Sequence, residues 1–222
     1  MKKYKVREYK DFMLKWKGFD KTFIVEHRWV LILWLQFIMF SMAYIALTPY
    51  GDLNIRLSNN YNKEVGFFFR YFTTFGEESI LVPLGLILIL IIRNTNFSIR
   101  LIFTFLLNSL MVIPVKYYIF GNQRPKLALH KYHLVFTEGV RVWEYNSFPS
   151  GHTSAAFAMA MALALWFKNV TISIIVVIMA MGVGLSRIYL QQHFIEDVLG
   201  GSVVGLLAAL IASGFYWIPK TK

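Results

Sequence analysis

One Arg, one His and one Asp stand in the stretch Ser186-Arg187-Ile188-Tyr189-Leu190-Gln191-Gln192-His193-Phe194-Ile195-Glu196-Asp197, between two long apolar runs. His193 and Asp197 are four residues apart, the spacing that brings side chains together on one face of a helix. Asp197 can then accept a hydrogen bond from one ring nitrogen of His193. That fixes the tautomer and leaves the other nitrogen free to attack. Arg187 offers a forked cation suited to a phosphate or a carboxylate. Charges at the edge of a membrane span are costly to keep, and so they point to function.

Two further stretches have the same character. Phe148-Pro149-Ser150-Gly151-His152-Thr153-Ser154 opens another apolar run, and Lys116 with Arg124-Pro125 follows a third. Each has a plain structural reading when taken alone. Ser150 can be a helix N-cap, Arg187 an interfacial anchor, and His193 with Asp197 a structural pair. Taken together they contain what phosphate-ester cleavage requires: a grip on charged oxygens, an in-line nucleophile and a proton for the leaving oxygen. Lys116, Arg124 and Arg187 form a cationic clamp, and Ser150 adds a hydroxyl. Gly151 has no Cβ, so backbone N–H groups at a helix start can approach an anion.

Together the stretches resemble the tripartite signature of the type-2 phosphatidic acid phosphatase superfamily, which also holds the vanadium haloperoxidases. That pattern is Lys-x6-Arg-Pro, then Pro-Ser-Gly-His, then Ser-Arg-x5-His-x3-Asp. The second and third blocks match residue for residue. The first departs, because Tyr117 to Gln123 make seven residues between Lys116 and Arg124. The resemblance spans Lys116 to Asp197. It implies that His193 is the nucleophile and forms a phosphohistidine, that Asp197 orients it, and that His152 protonates the leaving alcohol and later activates water. It implies phosphate binding by Lys116, Arg124, Ser150, Gly151 and Arg187. No metal or cofactor is expected, since the cations supply the charge neutralisation that a divalent ion would bring.

Composition sets the surroundings. The chain has 222 residues, 57% of them apolar, with mean hydropathy +0.52, which points to a membrane protein. It has no Cys, which excludes disulfides and thiolate metal sites. The net charge of +11 is concentrated in no soluble basic face, so nucleic acid is not an expected partner. Residues 1–28 carry nine Lys/Arg against four acids, with Phe12, Trp16 and Phe19 interleaved. They read as a cytoplasmic, partly interfacial tail, with an anionic-lipid sensor as the sharper alternative. The first apolar run suits a retained span better than a cleaved signal.

The expected fold is all-α: a polytopic membrane bundle of six transmembrane helices, forming a single domain over 1–222 with its motifs within 116–197. The spans are expected at Trp29–Gly51, around Ser79–Ile92, at Ile99–Val115, His152–Phe167, Val170–Arg187, and from Asp197 to about Tyr216. Residues 52–64 are polar and turn-rich and read as a loop. Residues 65–75 read as an interfacial helix or as the outer turn of the second span. Glu77 and Glu78 read as solvated interface charges, with metal binding as the alternative. Asn108 and Ser109 read as interhelical hydrogen-bonding groups. The long connection 116–147 reads as a loop that covers the site or receives the lipid headgroup. In it, His130 and His133 read as loop residues and Glu138 and Glu144 as candidates for substrate contacts.

With six spans, fourteen Lys/Arg fall on the side of the termini and nine on the other, which puts the termini in the cytoplasm. All three blocks then share the extracytoplasmic side of what the resemblance implies is a bacterial cytoplasmic (inner) membrane protein. The function expected is hydrolysis of a phosphorylated membrane lipid. Lipid A, undecaprenyl diphosphate, phosphatidylglycerol phosphate and phosphatidic acid are the substrates the resemblance allows. The segment Phe136–His152 resembles that of bacterial lipid A phosphatase relatives. Two alternatives stand beside hydrolysis: phosphotransfer to another lipid through the same phosphohistidine, and non-catalytic headgroup binding or transport. Mid-span positions are nearly all apolar, which disfavours a conduction path.

Overall fold

The computed structural model describes residues 12–16 and 21–219. Most of the tail expected at 1–28, including Phe19, lies outside the described residues. Nine α-helices are seen among them. Helix α1 (Lys21–Leu47) starts inside the expected tail, so the end of that tail is helical. Helices α2 (Asp52–Asn59) and α3 (Lys63–Phe72) follow, then a 3-10 turn, Thr73–Gly76. Next come α4 (Glu78–Ile92), α5 (Thr95–Pro114) and α6 (Pro125–Ala128). The bundle closes with α7 (Gly151–Phe167), α8 (Val170–Tyr189) and α9 (Ile195–Ser213).

Helix α7 is the axis. Its Ala-rich sequence lets α9, α8 and α5 pack around it. The approach of α9 is backbone to backbone: a Cβ on Gly205 would meet Ser154 O at 2.5 Å and Ala158 N at 2.7 Å. Small residues at such crossings allow tight helix packing in lipid. Phe157, Met161, Val177, Val183 and Ala209 fill the main core, and Leu81, Phe97, Leu101 and Met159 a second one. The outer helices turn Phe40, Leu47, Leu90, Ile91, Leu106 and Leu110 outward. An apolar exterior of this kind suits a hydrocarbon solvent.

Among the described residues, four helices are long and apolar enough to cross a membrane: Phe23–Leu47, Thr95–Ile119, Val170–Tyr189 and Ile195–Ser213. The pair Lys63–Gly76 and Glu78–Ile92, bent by 51°, makes a fifth if counted as one span. Length keeps α7 out of that set, since it has only 17 residues.

Three expectations change. The stretch 52–64 is not a plain loop, because α2 forms within it. Asp52 and Arg56 pair at 2.6 Å one turn apart, while Asn54 and Ser58 face inward. The buried face of α2 is polar, so it leaves no apolar periodicity to read. The fold is also not purely α. Strands β1 (Phe12–Trp16) and β2 (Phe215–Pro219) pair antiparallel, with Phe12 opposite Pro219 and Trp16 opposite Phe215. The last span accordingly stops at Ser213, short of Tyr216, where an aromatic and β-branched run favours a strand.

Candidate active site

Four element ends meet at one end of the bundle: the C-terminal turn of α5, the N-terminus of α7, the C-terminus of α8 and the N-terminus of α9. Beyond Pro114 the chain continues α5 as one π-turn, Val115–Ile119, which carries Lys116. Lys116 Nζ donates to Pro149 O at 3.3 Å. It also lies 3.9 Å from where a Cβ on Gly151 would stand, so the lysine hangs over the first turn of α7. Ser150 caps that turn, its Oγ accepting from Thr153 N at 3.4 Å and from Thr153 Oγ1 at 2.9 Å. The α7 N-terminus therefore presents N–H groups and a positive dipole end beneath a lysine.

Helix α8 ends at Tyr189 and α9 begins at Ile195, so His193 lies in the connection between them. The expected His193–Asp197 pair forms, but not along one helix. Asp197 sits in the first turn of α9, and its Oδ2 reaches back to Phe194 N at 2.8 Å. The same oxygen lies 3.3 Å from His193 Nδ1 and accepts from Ser147 Oγ at 2.5 Å. His193 is 1% exposed and Asp197 3%. With Nδ1 turned to Asp197, Nε2 is the nitrogen left for attack. Burial pushes the His193 imidazole well below its usual 6.5, and Arg124, Arg187 and Lys116 push it further the same way. The ring is therefore neutral at neutral pH.

The cations are held differently from one another. Arg187 donates through Nη1 to Thr73 Oγ1 at 3.0 Å, while its buried Nε–H has no hydrogen-bond partner among the described residues. Arg124 grips main-chain oxygens: Tyr145 O at 2.9 Å, Gln192 O at 3.2 Å and Asn146 O at 3.3 Å. It ties the 116–147 connection to the His193 loop. Burial lowers its pKa and Asp197 opposes that, and a guanidinium stays charged throughout. His152, in the first turn of α7, places Nε2 3.7 Å from Glu77 Oε1.

All eight residues singled out in the sequence thus come to this one end. Residues outside the three blocks complete it: Ser147 on Asp197, Thr73 on Arg187, Glu77 near His152, and Asn54 of α2, whose Nδ2 donates to Gln191 Oε1 at 3.0 Å and to His193 O at 3.2 Å. Only Glu77 carried a signal in the sequence, as a charge at a span edge, and it faces a histidine rather than solvent alone. Glu144 pairs with Lys126 at 2.9 Å, and His130 Nδ1 lies 3.0 Å from Leu127 O within the connection. Asn108 accepts from Ser154 between α5 and α7, which is the interhelical role expected of it.

A family model described as the PAP2 superfamily matches residues 97–220. Among solved structures, the crystal structure of Aquifex aeolicus LpxE is 27% identical with a TM-score of 0.61, covering 73% of this chain and 93% of that one. The crystal structure of the first transmembrane PAP2 type phosphatidylglycerolphosphate phosphatase from Bacillus subtilis is 23% identical with a TM-score of 0.62, covering 83% and 94%. At that identity the second likeness is one of fold. No curated protein matches significantly.

Proposed function

From the premise that this chain belongs to the PAP2 superfamily, we propose that it is an integral membrane phosphatase that cleaves a phosphate monoester or diphosphate of a lipid. The observation that carries the reading is the convergence of the three blocks on a buried, neutral His193. Its Nδ1 is held by Asp197, and three cations surround it. In the first half-reaction His193 Nε2 attacks phosphorus in line. Lys116, Arg124, Arg187 and the α7 N-terminus hold the equatorial oxygens, whose charge grows in the transition state. His152 protonates the leaving lipid oxygen. In the second half it takes a proton from water, and the resulting hydroxide displaces His193 from the phosphohistidine.

The membrane arrangement belongs to the same proposal. The four long apolar helices, the bent α3–α4 pair and the shorter α7 make six crossings. At about 1.5 Å per residue α7 is roughly 26 Å long, a little under the hydrocarbon thickness of about 30 Å, and the helices around it shield it from lipid. Glu26 pairs with Lys168 and Arg100 Nε donates to Phe215 O at 3.1 Å, both at the end of the bundle away from the catalytic residues. The positive-inside count favours a cytoplasmic position for that end, which leaves the site facing outward at headgroup level. Lipid A, undecaprenyl diphosphate, phosphatidylglycerol phosphate and phosphatidic acid all suit such a site.

The test is phosphate release from these lipids by detergent-purified protein in EDTA, beside His193→Ala. Release from one or more lipids that is lost in the variant is expected. Release that survives in His193→Ala excludes the phosphohistidine. Absence of release together with a phosphorylated acceptor lipid would make the enzyme a phosphotransferase.

A further inference from the structure

The turn Thr73–Gly76 touches both halves of the site. Its first residue accepts the Arg187 hydrogen bond at 3.0 Å. Its last is packed so closely that a Cβ on Gly76 would meet His152 O at 2.8 Å, His152 Cβ at 3.1 Å and Val183 Cγ1 at 2.6 Å. The turn cannot shift without disturbing His152. The next residue, Glu77, is the extended N-cap of α4 at φ −86° and ψ 139°. Ser79 Oγ donates to its Oε2 at 3.1 Å, and its Oε1 stands 3.7 Å from His152 Nε2. A cavity of about 310 Å³ opens beside the pair, lined in part by Glu78, Asn108, Ser109 and Gly151.

An acid for the leaving oxygen must carry a proton when it meets that oxygen. His152 shares this end of the bundle with three cations, Arg187, Lys116 and Arg124, and each repels a positive charge on the ring. Glu77, delivered from the α3–α4 break, supplies the opposing charge at ion-pair distance.

We propose that Glu77 is a positioning residue for His152: it holds the protonated ring through Nε2 and leaves Nδ1–H to serve the leaving oxygen. The proposal rests on the phosphatase reading above. As the His193 Nε2–P bond forms, the P–O bond to the lipid breaks. Its electron pair stays on the lipid oxygen, which takes the proton from His152 and departs as the neutral alcohol. Water later returns that proton to His152 as its oxygen bonds phosphorus and the N–P bond breaks. Glu77 exchanges no proton in either half.

A general acid matters when the leaving group is poor and hardly at all when it is good. The experiment therefore compares dioctanoyl phosphatidic acid, an alkyl ester, with p-nitrophenyl phosphate, an aryl ester. The enzymes are the wild type, Glu77→Gln, Glu77→Asp, His152→Ala and the Glu77→Gln/His152→Ala double variant. Glu77→Gln is expected to lower kcat on the alkyl ester by roughly 10- to 100-fold, within the range general acids contribute. KM should stay nearly constant and the aryl rate should fall far less. Glu77→Asp should recover part of the loss, and Glu77→Gln should add little in the His152→Ala background. Retained aryl hydrolysis also shows that each variant is folded. Equal losses on both esters, or no loss on either, would overturn the role of Glu77 and leave the phosphatase reading standing. A wild type inactive on both esters and on every other lipid named above would overturn the two together.

Discussion

In the proposed mechanism His193 attacks only as the free base, so its surroundings would set the acid limit of activity. Burial and three neighbouring cations depress its pKa below 6.5. The acid limb of the pH profile of kcat/KM is therefore expected below pH 6.5, and a limb above it would contradict the neutral buried ring. Stability should follow the same sign. Below pH 6.5 the unfolded chain protonates this histidine while the folded chain resists it. The unfolded state then binds more protons, and thermal stability falls as the pH drops. Residues of this kind were legible in the sequence because the chemistry demands particular groups at particular spacings. Even so, the His193–Asp197 contact is made across a helix start and not along one helix, with Asp197 reaching back to Phe194 N. Ser147 and Thr73 were not legible. A lone hydroxyl has no pattern, and its partner is far away in the chain.

At the scale of elements, apolar runs announced the long helices because a span must satisfy its backbone internally and face lipid or neighbours with carbon. Helix α2 escaped notice because its inward face, Asn54 and Ser58, bonds to Gln191, His193 O and Val135 N instead of packing on carbon. The stretch 65–75 was legible as an interfacial helix or as the outer turn of the second span, and α3 lies there, but the 51° bend to α4 is a matter of backbone direction rather than composition. The α7–α9 crossing holds the site together, since Ser150 N donates to Asp197 O at 3.0 Å across it. Widening it should therefore cost both stability and rate. Gly205→Val is expected to lower the unfolding temperature by an amount corresponding to about 1–3 kcal/mol, with activity reduced in parallel. Gly121→Ala, where an added Cβ meets nothing within 4 Å, is the control and should leave the unfolding temperature unchanged. A tolerated Gly205→Val, measured by thermal unfolding in detergent, would mean the crossing is looser than described.

At the scale of the whole molecule, the bundle has two unlike ends. One carries the proposed catalytic residues; the other carries the β1–β2 sheet and the Glu26–Lys168 pair. The native chain lacks Cys, so single cysteines report sidedness cleanly. A Cys at Gly121, near the catalytic end, should react with an impermeant maleimide on intact cells. One at Thr95, at the start of α5, should react only after permeabilisation. The reverse pattern would invert the proposed orientation. Over evolutionary time the grip of Arg124 has a further effect. It holds the 145–146 segment by carbonyl oxygens that every amino acid possesses. Tyr145, whose side chain is exposed, can therefore vary without loosening that grip, whereas Asn146, held at φ +57°, is confined to the few residues that tolerate a left-handed backbone.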